Sequence, residues 1–127
     1  MVKIRREQVE GIVHKLEEAE LEGVDLSKAN LTRANLYKAN LTGANLRKTN
    51  LRSATLTWAK LFRANLQDAS LGNADLRWAD LRQANLSGAN LTTANLRWAY
   101  LKGAKYDQDT QFPQGFNPKE AWMIKTS

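Results

Sequence analysis

The sequence predicts a narrow solenoid of stacked four-sided coils, with a different cover at each end. Three observations predict it. All 18 leucines, from Leu16 to Leu101, fall in one register of period five. Two residues before each leucine runs a second register, from Ala19 to Ala104, with alanine at 16 of its 18 positions; Val24 and Thr49 are the exceptions. Trp58, Trp78 and Trp98 share a third position, the second residue after the leucine, and recur at every fourth leucine.

A period of five suits neither regular element. Five residues turn an α-helix by about 500°, which leaves successive leucines about 140° out of step and sharing no face. In a flat strand an odd spacing sends successive leucines to opposite faces. A chain that turns a corner at every leucine unit solves the problem: Leu and the small Ala point inward, and the other three point outward. One such coil buries little, but stacked coils enclose a continuous core, and alternating large and small residues fit a narrow interior. The tryptophans count the sides. With four sides per coil they stack directly; with three, the column through Trp58 reads Asn73 and Gly88 instead.

Composition alone is ambiguous. Leu, Ile, Val and Phe make up 28 of 127 residues and the net charge is +6, close to the border below which charged chains stay disordered. Mean hydropathy is −0.55. The length suits one domain. The absence of cysteine excludes a disulfide scaffold. No apolar run approaches the ~18 residues of a membrane span. The charged start, with Arg5-Arg6, is followed by no apolar stretch of the kind an export signal needs, so a cytoplasmic location is expected.

Runs such as Ala29-Asn30-Leu31-Thr32-Arg33-Ala34-Asn35-Leu36 resemble the pentapeptide-repeat family. That resemblance implies an all-β fold, a right-handed quadrilateral parallel β-helix. Residues 24–105 carry the unit Ala-(Asn/Asp)-Leu-x-x, enough for about four coils and a rod roughly 20 Å tall at a strand spacing near ~4.8 Å. The position before the leucine is Asn nine times and Asp three times in the 17 units from Asp25 to Lys105. Its short polar side chain suits hydrogen bonds to the local backbone. Thr49 is expected to point inward and to need an acceptor for its hydroxyl.

Residues 1–23 read as an N-terminal cap. Val9, Ile12, Val13, Leu16 and Ala19 follow helical spacing over residues 5–20, although Gly11 weakens such a helix by about 1 kcal/mol. Leu16 and Leu21 also share the repeat register. Residues 106–127 change character: the leucines stop, and Tyr106, Phe112, Pro113, Gly115, Phe116, Pro118 and Trp122 follow. Phe112-Pro113-Gln114-Gly115-Phe116-Asn117-Pro118 resembles the terminal segment of cyanobacterial pentapeptide-repeat proteins. It reads as an irregular cap that plugs the last coil and shields its strand edges. With both ends closed, a monomer is expected.

No catalytic constellation emerges. The single histidine, His14, has no cysteine to join it in a metal site, and as the one candidate for a Ser-His-Asp arrangement it lies on the cap, away from the coils in sequence. Asp75 and Asp80 both occupy the standard Asn/Asp position, which favours a structural role over paired acid–base work. There is no Gly-rich phosphate loop. Neither an enzyme nor a cofactor is expected.

The outward columns carry more. A four-unit coil aligns Lys38, Trp58, Trp78 and Trp98, flanked by Arg77 and Arg97. Lys38 is expected over Trp58 as a cation–π contact, and Lys48–Asp68 and Lys60–Asp80 as ion pairs between coils. Stacked tryptophans beside arginines have the composition of an interface hot spot. The competing reading is an internal one, with the ladder bracing the rod or lying beneath the tail. Residues 25–105 hold 13 Lys/Arg against 4 Asp, for +9, between ends of −2 and −1. Some pentapeptide-repeat proteins resemble B-DNA in shape and negative charge; a rod of +9 has the opposite sign. The leading expectation is a non-enzymatic scaffold that binds another protein through Trp58, Trp78, Trp98, Arg77, Arg97 and Lys38. The alternative is electrostatic binding of nucleic acid or another polyanion.

Overall fold

The computed structural model describes residues 5–126. Its body is a quadrilateral parallel β-helix in which each residue before a leucine bridges its equivalent four repeats on, from Glu20–Asn40 to Asn85–Lys105. The bonding recurs from coil to coil. The Leu26 N–H donates to the Asn45 C=O (2.8 Å), and the Asn45 N–H donates to the Val24 C=O (3.0 Å). Each corner is a β-turn closed by the alanine N–H on the preceding leucine C=O, as in Ala29 to Leu26 (3.1 Å). The second corner residue stands in the left-handed region, with φ near 60° at Lys28, Trp58 and Arg63 among others. Four such corners complete one circuit, so the four sides inferred from the tryptophans are the sides observed.

Inside lie the two registers. Every leucine from Leu16 to Leu101 is buried, as are the alanines from Ala29 to Ala94. Ala19, Val24 and Ala99, near the two ends, are only partly buried. Thr49 is fully buried and its hydroxyl donates to the Leu26 C=O (2.8 Å), which removes the cost of a dry, unpaired hydroxyl. The Asn/Asp position acts locally. Asn35 Oδ1 accepts the Tyr37 N–H (3.2 Å), and Asn65 Oδ1 accepts the Gln67 N–H (3.0 Å). Each such bond stabilises entry to the next corner.

The N-terminal cap is less helical than its spacing predicts. The helix α1 spans only Arg6–Glu10, followed by a single 3-10 turn at Val13–Lys15. Ile12 is 44% exposed. The reason is competition: Leu16 and Leu21 are drawn into the coil, which leaves too few residues for a longer helix, and Gly11 ends it. The cover works by hydrogen bonding as well as burial. The Glu10 carboxylate accepts the Asn30 N–H (2.6 Å), the Val13 C=O accepts the Asn35 N–H (2.8 Å), and Arg6 donates to the Ser27 C=O (2.9 Å). Beneath them the Val9 side chain is fully buried.

At the other end the period breaks. Asn90 bridges Gln111, one position later than the repeat demands. The strand β1 (Lys105–Tyr106) pairs in parallel with β2 (Ile124–Lys125), one position earlier than it demands. Between them Tyr106 and Phe112 meet edge to face (5.5 Å) and Phe112 stacks on Phe116 (5.0 Å). This aromatic plug closes the core where the leucines end. Among the described residues, no helix is long and apolar enough to cross a membrane.

Two outcomes check this architecture. Leu66 is fully buried mid-rod; Leu66→Lys forfeits roughly 1.5–3 kcal/mol of burial and places an ammonium in a dry interior. Loss of the cooperative thermal transition in far-UV circular dichroism is expected, and a wild-type melting curve would refute the inward assignment. Deleting residues 107–127 uncovers the last coil, so oligomers or aggregates are expected by size-exclusion chromatography with light scattering. A monomeric, non-aggregating truncation would show that the tail is not a cap.

Candidate functional site

One corner of the coil carries the three aligned tryptophans. Trp58 and Trp78 stack with ring centroids 5.2 Å apart and planes 10° from parallel; Trp78 and Trp98 stack at 5.1 Å and 15°. The centroid spacing follows the strand spacing, because each indole leaves the same corner of consecutive coils. All three backbones are left-handed, with φ of 60°, 63° and 61°. Such a φ costs roughly 1–2 kcal/mol for a residue with a Cβ, but lysine and arginine bear the same φ at neighbouring corners. Against that common background, each stacked pair is a gain of about 0.5–1.5 kcal/mol. The ladder therefore braces the rod.

It is also open to solvent. Trp58, Trp78 and Trp98 are 50%, 36% and 56% exposed, so the tail does not lie over them. The internal role and the exposed surface coexist.

The flanking cations divide into two kinds. Arg77 grips Asp75 with two hydrogen bonds, Nε at 2.9 Å and Nη2 at 2.7 Å. Arg82 grips Asp80 in the same way, at 2.8 Å and 2.8 Å. Arg97 follows an asparagine, makes no ion pair among the described residues, and lies over the Trp98 ring at 5.9 Å. The sequence signal was present: Asp75-Leu76-Arg77 and Asp80-Leu81-Arg82 carry the carboxylate two positions before the arginine, on the same turn, whereas Arg47, Arg52 and Arg97 follow Asn-Leu.

Three expected contacts are replaced. The Lys38 ammonium sits over the Tyr37 ring (5.3 Å) rather than over Trp58, since the adjacent residue on its own corner is within easier reach. The pair Lys60–Asp80 does not form because Arg82 already holds both Asp80 oxygens. Lys48 and Asp68 do not pair either; Asp68 leans over the next coil, where its carboxylate fills the space a Cβ on Gly88 would take. A second aromatic site is Phe62, between Arg63 (5.1 Å) and Arg82 (5.5 Å). His14 is exposed. The described residues hold no cluster of three or more potential metal ligands.

Comparison with known proteins bears on this geometry. Pentapeptide repeats, in eight copies, match residues 15–47, 29–68 and 69–105. No curated protein sequence matches. Among solved structures, a pentapeptide repeat protein from the cyanobacterium Cyanothece is 43% identical, with a TM-score of 0.74 over 77% of this chain and 67% of that one. HetL, a pentapeptide repeat protein involved in heterocyst differentiation regulation in Nostoc, is 28% identical, with a TM-score of 0.53 over 85% and 66%. A pentapeptide repeat protein of the Arabidopsis thaliana thylakoid lumen is 36% identical over 82% and 63%, with a TM-score of 0.43.

The Asp–Arg pairs predict a pH dependence. The hydrogen bond from Arg77 holds the Asp75 carboxyl below its ordinary 3.8 despite the opposing effect of burial, and Arg82 does the same for Asp80. A depressed folded-state pKa adds stability that is complete above the ordinary carboxylate range and is lost as pH falls through the depressed value. The melting temperature is expected to decline from about pH 5 to about pH 2. Arg77→Gln with Arg82→Gln should flatten that decline, and an unaltered slope would show that the pairs contribute nothing.

Proposed function

This chain belongs to the pentapeptide-repeat family, and on that premise we propose that it is a non-enzymatic scaffold that binds another protein through the ladder of Trp58, Trp78 and Trp98. The observation that carries the proposal is three aligned, stacked indoles, each more than a third exposed, on a rod whose leucines are all buried. Exposed apolar patches of this kind mark interaction sites, and Trp and Arg are the residues that dominate binding energy at interfaces. Because the stack orders the rings before any partner arrives, binding them costs little side-chain entropy.

A protein partner is favoured over a polyanion by the placing of charge. The cations are spread over all four corners: Lys28 and Lys48 on one, Arg33 and Arg52 on the next, Lys38, Arg77 and Arg97 on the third, Arg63 and Arg82 on the fourth. Two of them are neutralised by Asp75 and Asp80. Nucleic acid would be served better by one continuous basic stripe. The proposal takes the protein as a monomer.

The test replaces all three tryptophans by serine and compares affinity capture from the source cells, followed by titration of the captured protein against both forms. Loss of at least tenfold in affinity is expected, with the coil intact by circular dichroism. Undiminished binding by a folded triple variant would remove the ladder from the interface.

A further inference from the structure

The last coil has four outward strand edges, and the described tail covers only two. On the side of Asn90, the Gln111 backbone takes the next-strand position: the Leu91 N–H donates to its C=O (2.7 Å), and its N–H donates to the Ala89 C=O (3.0 Å). On the side of Lys105, β2 does the same, with the Ile124 N–H on the Ala104 C=O (2.8 Å). On the side of Asn95 no described strand follows. Among the described residues, no backbone group pairs with the Leu96 N–H or the Ala94 C=O, although their counterparts one coil below, Leu76 and Ala74, both bond to Asn95 at 2.9 Å. The Leu101 N–H and Ala99 C=O likewise lack a backbone partner among the described residues.

Beside the Asn95 edge lies a groove. Residues 94–97 form one wall and the tail residues 113–116 the other, enclosing about 490 Å³ open to solvent. The first wall carries the unpaired Leu96 N–H and Ala94 C=O together with Arg97, and the second carries Pro113 and Phe116. An unpaired edge beside an apolar wall is the arrangement used to bind extended peptides by strand addition.

We propose that this groove binds an extended acidic peptide segment of another protein as the next parallel strand. One residue of the segment stands over Asn95, donating its N–H to the Ala94 C=O and accepting the Leu96 N–H, as Asn95 itself does to the coil below. An apolar neighbour meets Phe116, and a carboxylate meets Arg97. Charge selects the occupant. Arg97 makes no ion pair among the described residues, in contrast to Arg77, whose guanidinium is held by Asp75. An acidic segment is attracted to that unpaired guanidinium. The inference shares Arg97 with the ladder but otherwise rests on backbone groups and the tail, and protection of the Leu96 amide tells the two apart.

The experiment titrates the intact protein with a fluorescein-labelled hexapeptide of alternating Val and Glu, while amide hydrogen exchange is followed by NMR. Saturable binding is expected, with exchange at the Leu96 amide slowed at least tenfold. Arg97→Glu should weaken binding at least tenfold. Arg33→Glu, an equal charge change on a corner far down the rod, should leave it within twofold. A peptide N-methylated at every residue loses its backbone donors and should not bind. Absence of saturation and of Leu96 protection at about 1 mM peptide, the weak end of specific affinity, would overturn the proposal. So would equal binding of the N-methylated peptide, which indicates charge alone. Leu96 protection in the free protein that rises with protein concentration and tracks a dimer mass would overturn it too, by assigning the groove to a second copy.

Discussion

The offset of the backbone ladder governs the rest of this molecule. Within the coil a leucine N–H meets the carbonyl just before the leucine four repeats on, as Leu26 meets Asn45. Any residue on the surface therefore recurs directly above itself after one coil. Side-chain columns follow without further instruction: indole on indole at 5.2 and 5.1 Å, Arg63 on Gln83 through a 3.0 Å hydrogen bond. Where the offset lengthens by one position at Gln111 and shortens by one at Ile124, the columns stop. There the leucine core gives way to the aromatic plug, and the slip leaves two edges of the last coil bare of described backbone. Regularity makes the ladder, and its interruption makes the groove.

The corners show how tightly that offset is held. From Glu18 to Gly103, the second corner residue is left-handed at every position but one. The exception is Thr93, and it is the one β-branched residue in that register. Branching at Cβ penalises the left-handed region most. The consequence is visible one coil below. Ser53 donates its N–H to the Gly72 C=O (2.8 Å), following the general pattern, but Asn73 donates to Thr93 Oγ1 (2.9 Å) in place of the Thr92 carbonyl. The side chain supplies the acceptor that the altered corner takes away. The ladder thus absorbs a local conflict without changing its period.

Much of this was legible in the sequence, and the division is physical. Leu and Ala have one way to be buried at a period of five, so the coil, its four sides and the stacking of Trp58, Trp78 and Trp98 follow from spacing. Thr49 was legible for the same reason, since a hydroxyl placed inward must find a carbonyl. Contacts among long flexible side chains were not. Lys38 chose Tyr37 over Trp58, and Asp80 chose Arg82 over Lys60, because several partners lie within reach and small differences in geometry decide. The length of the N-terminal helix was obscured because Leu16 and Ala19 satisfy helical spacing and the repeat register at once, and the coil won. The bare edge at Leu96 had no sequence signal: it depends on where the tail crosses the last coil, which backbone pairing reveals and residue type does not.

The stacked geometry also constrains the partner proposed for the ladder. Trp78 has both faces covered by its neighbours, so what it presents outward is the indole edge. The edge of an aromatic ring is the positive part of its quadrupole. A column of such edges with Arg97 at its top is electropositive along its length, although most of its area is carbon. It suits a surface that brings carbonyl or carboxylate oxygens against apolar contacts, and it disfavours one that brings lysine. The +9 of the repeats acts in the same direction at longer range, steering an acidic partner toward the rod. Screening shortens that reach to about 8 Å at physiological salt, so in the proposed complex the charge acts on encounter and the pre-ordered indoles on contact.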